Sequence, residues 1–113
     1  MIDVREYICR DGSNPFKVWF DSLDAQAAAK IAAATFRLGL GNTSNIKWFH
    51  GIGELKVNWG PGYRIYLAKD GDALVVIFGG GTKKGQQTDI RRARELHTEY
   101  KARKALKKKI LND

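Results

Sequence analysis

The stretch Gly53–Asp89, GELKVNWGPGYRIYLAKDGDALVVIFGGGTKKGQQTD, decides the fold. Leu55, Val57 and Trp59 alternate with Glu54, Lys56 and Asn58, and Tyr63, Ile65 and Leu67 alternate with Arg64, Tyr66 and Ala68. This period of two marks half-buried strands. Leu74–Phe78 is continuously apolar, as a central strand would be. Asp70-Gly71 suits a two-residue hairpin, which would pair Lys69 with Asp72 and set Arg64 opposite Ile77 and Tyr66 opposite Val75. Gly60-Pro61-Gly62 reads as a three-residue turn pairing Trp59 with Tyr63, which sets Asn58 opposite Arg64 and Lys56 opposite Tyr66. One face of this meander would then present Lys56, Asn58, Arg64 and Tyr66 over a floor of Val75 and Ile77. A slip of one residue in either turn would scatter them.

The 113 residues amount to one domain, 1–113, with 101–113 a basic extension that either frays or, over Lys101–Ile110, continues the last helix. No apolar run reaches the length of a membrane span, and the N-terminus lacks the pattern of a signal peptide, so a cytoplasmic location is expected. The single cysteine, Cys9, reads as a small buried hydrophobe. Charge is more informative. Residues 1–82 hold 9 basic and 8 acidic side chains, whereas residues 83–113 hold 11 basic and 4 acidic ones, so nearly all of the net +8 sits in the last quarter. Such a cluster suits a polyanion. Lys101–Lys109 taken alone fits a solvated basic tail equally well.

Upstream of the meander, Val4–Cys9 is a short strand candidate. Asn14-Pro15 offers a side-chain cap and a proline at the first helical position, predicting a helix from Pro15 to about Ser22. A second helix is predicted from Asp24, its cap, to Leu38, with Gly39 as the left-handed stop and Ala28, Ile31, Thr35 and Leu38 on its buried stripe. Together these form a helical hairpin on the sheet. Lys47-Trp48-Phe49-His50-Gly51 leads into the first central strand, as a packed edge segment or as a platform for a base. Gly79–Gly85 reads as a flexible basic loop. A final helix from Gln86 to Ala102 would carry Ile90, Ala93, His97 and Tyr100 on one stripe, with Asp89 as its cap. The fold class is therefore α+β: an N-terminal strand, a helical hairpin, an antiparallel three-strand meander and a C-terminal basic helix.

One cysteine and two distant histidines supply too few ligands for a zinc or iron site, and no cofactor is expected. GGGTKKG lacks the spacing of a nucleotide-phosphate loop. What remains is a basic face of Lys56, Arg64, Lys83, Lys84, Arg91, Arg92, His97 and Tyr100. Such groups can stabilise charge on phosphate oxygens and move protons, and RNA supplies its own nucleophile in the 2′-OH. The same face would serve to bind nucleic acid or an acidic protein without catalysis.

The segment ELKVNWGPGYRIY matches a pattern EL(R/K)xxxGxGYR(V/I)Y, and GGTKKGQQTDI matches GGxKxxQxxDI ahead of a basic helix. In these features the chain resembles the RelE/ParE toxin superfamily and its HigB-like branch, the addiction module killer proteins. The resemblance implies a type II toxin neutralised by a cognate antitoxin encoded beside it. It also implies an mRNA endonuclease that acts on the ribosome, cutting by metal-free 2′-OH attack to leave a 2′,3′-cyclic phosphate and a 5′-OH. Arg64 of GYR, Lys56 of ELK and Lys83 or Lys84 of GGxK match basic positions that stabilise the phosphate. His97 and Tyr100 are proton-transfer candidates from position and chemistry. Arg91, Arg92, Tyr66 and Asn58 are the candidate RNA contacts. Two other functions fit the same resemblance: a ParE-like inhibitor of DNA gyrase, and a non-catalytic homologue that only binds antitoxin.

Overall fold

The computed structural model describes residues 1–112. It is an α+β fold in which one five-stranded mixed sheet is covered on both faces. The strands are β1 (Asp3–Glu6), β2 (Ile46–Phe49), β3 (Ile52–Val57), β4 (Tyr63–Lys69) and β5 (Leu74–Thr82), in the spatial order β1-β5-β4-β3-β2. β1 runs parallel to β5, and the other pairs are antiparallel. The helices are α1 (Pro15–Asp21), α2 (Ala25–Gly39) and α3 (Gln86–Asn112).

Local chemistry explains the helix starts. The Asn14 side chain accepts from the Lys17 N–H at 3.1 Å, ahead of Pro15, and Asp24 accepts from the Ala27 N–H at 2.8 Å. Each satisfies an amide that the helix cannot pair internally. α2 continues one residue beyond the expected stop: Gly39 is helical, and Gly41, at φ 96°, takes the left-handed position. Its buried stripe is Ala27, Ile31, Ala34 and Leu38, a rotation away from the expected Ala28 and Thr35. With Phe16 of α1, this stripe covers Leu55, Val57, Ile65, Leu67, Val75 and Ile77. Each fully buried Ile or Leu contributes about 1.5–3 kcal/mol.

The opposite face is closed by α3, where Ala93 and Leu96 pack on Ile52, Tyr66, Ala68, Val76 and Phe78, with Tyr7 and the buried Cys9 alongside. An open basic face floored by Val75 and Ile77 is therefore not formed. The β4–β5 connection is the reason. Lys69 pairs with Val75 rather than Asp72, and the Asp70 N–H bonds the Leu74 carbonyl at 2.9 Å. Only Gly71 in that loop has positive φ, whereas the two-residue turn needs two such residues. The longer loop changes the parity of β5 and sends Val75 and Ile77 to the α1/α2 face. A bulge then leaves Phe78 unpaired between Leu67↔Ile77 and Tyr66↔Gly79.

The β3–β4 connection also differs. Val57 pairs with Tyr63 and Lys56 with Arg64, because the loop spans Asn58–Gly62 and Trp59 lies in it beneath Lys30. Parity is kept, so the apolar alternation survives while Glu54, not Lys56, comes opposite Tyr66. β2 is an additional edge strand, joined to β3 by His50-Gly51. β1 stops at Glu6 instead of reaching Cys9. Gly79-Gly80-Gly81 is strand rather than flexible loop, followed by a single tight helical turn at Lys83–Gly85. From Gln86 the helix runs unbroken to Asn112, taking in Lys101–Ile110; Asp113 lies outside the described residues.

Two adjacent strand glycines offer a test of this packing. A Cβ on Gly80 would overlap the Trp19 ring, while one on Gly79 meets nothing within 4 Å. Gly80→Ala is expected to cost about 1–3 kcal/mol in urea unfolding, the range for overpacking a core, and Gly79→Ala to leave the midpoint nearly unchanged.

Candidate functional site

At the end of the sheet where α3 begins, four elements converge on one buried polar cluster. Glu54 of β3 and Arg64 of β4 lie on the α3 face and are both nearly inaccessible, at 7% and 6% exposure. The Arg64 Nε stands 3.7 Å from Glu54 Oε2, and Gln86, the first residue of α3, donates its Nε2–H to the same oxygen at 2.8 Å. The Arg64 Nη1 reaches the Gly62 carbonyl at 3.5 Å. Beside them Tyr66 is buried, and its hydroxyl and the Arg64 Nε have no hydrogen-bond partner. Burial, followed by the nearby Glu54 charge, pushes the Tyr66 phenol well above its ordinary range.

Asp89 enters from the first turn of α3, and it is not the helix cap. Its carboxylate lies against Gly81 and Gly85, where a Cβ on Gly81 would collide with Oδ2. Burial raises its pKa. Asp89 is thus a half-buried carboxylate, held toward its protonated form by burial, beside a cationic cluster. The spacing of Gly81, Gly85 and Asp89 was the signal in the sequence for this close approach.

The exposed cations ring this cluster. Lys56 is directly opposite Arg64 in the β3–β4 ladder, and Lys83 and Lys84 occupy the turn before α3. Asn58 is exposed in the β3–β4 loop. Arg91 lies farther along α3, on the flank facing the β2–β3 turn, and Arg92 lies on the opposite flank, 3.4 Å from Glu95. His97 packs on Phe78 with ring centroids 5.6 Å apart, and Gly51 lies against its imidazole. Burial, with the Lys101 charge, lowers the His97 pKa. Tyr100 donates its hydroxyl to Asp70 in the β4–β5 loop, and its pKa is pushed up to about 12 by burial and by that bond. Asp70 is six residues along the chain from Arg64, roughly 20 Å at the rise of a strand. Tyr100 is thus separated from Lys56, Arg64 and Lys83, and Tyr66 faces inward, away from any external RNA. Among the described residues no three His, Cys, Asp or Glu side chains converge so as to hold a metal ion. Nor, among the described residues, is any helix long and apolar enough to cross a membrane.

No family model matches the chain. An uncharacterized protein of Haemophilus influenzae is 41% identical over 86 residues, which span 74% of this chain and 87% of that protein. The chain belongs to that protein's family.

Arg64 and Glu54 are coupled through burial. Arg64→Ala leaves the Glu54 carboxylate inside without its counter-charge, a loss of about 3–5 kcal/mol for a broken buried pair. Lys83→Ala, on the surface, is expected to stay within about 0.5 kcal/mol; paired urea titrations would measure both. The His97 shift gives a pH dependence with a definite sign. The folded state binds the proton less readily than the unfolded chain, so the contribution of the neutral imidazole is complete above its ordinary value of 6.5. It falls away as pH drops from there toward the lowered folded-state pKa. Unfolding midpoints should therefore decline with acidification below about pH 6.5, and His97→Gln should flatten that decline.

Proposed function

We propose that this chain is a RelE/ParE-like toxin of a type II toxin-antitoxin module and that it acts on mRNA at the ribosome as an endoribonuclease. The observation that carries the reading is the segregation of charge along α3. On one flank Arg92 and Arg103 are matched by Glu95 at 3.4 Å and Glu99 at 3.9 Å. On the flank facing β3, Arg91, Arg94 and Lys101 form no ion pair among the described residues, and neither do Lys56, Lys83 or Lys84. Uncompensated cations along one groove suit a phosphate backbone, whose neutralisation releases condensed counterions.

In this reading the scissile phosphate lies above the Lys56–Arg64 pair, with Lys83 and Lys84 at its side. The 2′-OH gives up its proton as it attacks the adjacent phosphorus, forming the cyclic diester, while the bond to the 5′-oxygen breaks and that oxygen takes up a proton to leave as the 5′-OH. The lysines stabilise the charge on the non-bridging oxygens. Arg64 acts from beneath, holding β3 and β4 together through Glu54 so that Lys56 is fixed in place. Asp89 is the nearest group suited to proton exchange, and Tyr66 and Tyr100 are too weakly acidic and too enclosed for that role.

The partner implied by the reading is an acidic antitoxin segment, and a second surface suits one. Beyond Tyr100, α3 overhangs the β1 edge and encloses a groove of about 1000 Å3. Its apolar lining includes Leu106, Ile110 and Val76, and Arg10, Lys107 and Lys108 rim it. An acidic amphipathic segment would cover both kinds of surface.

The test is brief induction in cells followed by mapping of new 5′-OH ends across the transcriptome, with Lys56→Ala/Lys83→Ala as the inactive control, since Arg64→Ala compromises the fold. Ends inside translated frames that vanish in the control are expected, with growth arrest falling at least about a hundredfold in colony counts. Growth arrest with intact mRNA would remove the nuclease and point to gyrase.

A further inference from the structure

The two histidines of the chain, 47 residues apart in sequence, border one recess. His50 is the first residue of the β2–β3 turn, with φ 52°, and Gly51 follows at 81°. Phe49 and Ile52 pair on either side, so both turn residues lie in the left-handed region that a two-residue hairpin demands. His50 is the one residue other than glycine with positive φ among those described. Residues with a Cβ adopt that backbone reluctantly, and such positions concentrate at functional sites.

Across the turn stands His97, whose Cε1 lies 3.7 Å from the position a Gly51 Cβ would take. The glycine is required by its positive φ, and the turn it closes lies in van der Waals reach of the His97 imidazole. The rest of the recess, about 360 Å3, comes from α3: Arg91, Arg94, Thr98 and Lys101, with Glu95 at the rim. That volume falls at the lower end of ligand clefts, roughly 300–1,000 Å3, enough for a phosphate and one attached sugar.

The charge in the recess is lopsided. Three cations face it, and its one carboxylate, Glu95, already engages Arg92 on the opposite flank. His97 is held toward its neutral form by burial and by Lys101. The other groups facing it are Arg91, Arg94, Glu95 and His50, while β5 presents only the ring of Phe78. A bound dianion would neutralise this excess and accept hydrogen bonds from the guanidinium groups and the imidazoles, while the Thr98 hydroxyl, which donates to the Arg94 carbonyl at 3.0 Å, lines the wall.

We infer that the recess between His50 and His97 is a phosphate-binding site, built from Arg91, Arg94, Thr98 and Lys101 and separate from the Lys56–Arg64 cluster. Its ligand is a phosphate group, either free or carried in a polynucleotide backbone. The inference rests on the proposed reading in one respect, the basic flank of Arg91, Arg94 and Lys101 that both use; phosphate binding in the recess and RNA cleavage in cells are separate measurements, and either can fail alone.

Because the chain has two histidines, both at the recess, proton NMR reads the site directly. The two imidazole Hε1 signals of the full-length protein are assigned with His50→Gln and His97→Gln. Inorganic phosphate is then titrated at pH 7 and constant ionic strength. Both signals are expected to move along one saturation curve, downfield as the dianion raises the proton affinity of the imidazoles. Arg94→Gln should weaken binding at least about tenfold, as for a hydrogen bond to a charged group, with the remaining spectrum unchanged. Lys108→Gln should have no effect. A second arm substitutes a ribotrinucleotide, with adenosine as the phosphate-free control. Saturation by the trinucleotide at lower concentration than by phosphate assigns the site to a nucleic-acid backbone, and the reverse order assigns it to free phosphate. Signals that respond equally to chloride, that move on separate curves, or that are indifferent to Arg94→Gln would overturn the site.

Discussion

The fold turns on the number of residues between β4 and β5. With Lys69 paired to Val75, β5 offers Val75 and Ile77 to α1 and α2 and Val76 and Phe78 to α3, so both faces of the sheet become core. With a loop one residue shorter or longer the two sets would exchange, and Phe78 could not meet Tyr7, His97 and Tyr100 at centroid separations of 5.4, 5.6 and 6.3 Å. The seat of α3, and everything that α3 brings to the surface, follows from that parity.

A sheet covered on both faces has limited room for charge, and the Glu54 cluster shows how it is managed. One carboxylate oxygen serves both the Arg64 guanidinium and the Gln86 amide, tying β3, β4 and the first turn of α3 into a single knot. Burying such a pair is seldom stabilising in itself, because desolvation offsets the attraction. Its effect is geometric: the strand ends hold Lys56 outward while Gly81, lacking a Cβ, lets α3 close down with Asp89 against it. A polar cluster in which Arg64 Nε and the Tyr66 hydroxyl lack partners is the sort of local compromise that cores avoid and sites retain.

The features legible in the sequence are those set by chemistry over a few residues. Asn14, Pro15 and Asp24 mark helix starts wherever they occur in such contexts, and the alternation through Leu55, Val57, Ile65 and Leu67 identifies the face toward α2. Loop lengths were harder to read, because Asp70-Gly71 is followed by another turn-former, Asp72, and local preference does not choose between two and more loop residues. β2 was read only as an edge segment, its four residues being too few for a periodic signal. The site was legible in its cations; the place of Asp89, read as a helix cap, was not, because its approach to Gly81 depends on the seat of α3. Glu54 and Gln86 are 32 residues apart and meet only through the α3 seat. Tyr66 alternates like a surface residue because its face is covered by a distant helix and not by anything adjacent in sequence. His97 and Tyr100, on one stripe with Ile90, fall into different neighbourhoods because the stripe crosses several strands.

α3 has one further consequence. Beyond Tyr100 the helix leaves the body, and Leu106, Ile110 and Leu111 stand exposed among Lys107, Lys108 and Lys109. Mutual repulsion of these ammonium groups keeps such overhangs from pairing in dilute buffer, a protection that reaches only about 10 Å at 0.1 M salt and about 3 Å at 1 M. Salt therefore acts on this molecule in two opposed ways. It would weaken the hold of the basic flank on a polyanion, and it would lower the repulsion that opposes burial of the overhanging apolar side chains against one another.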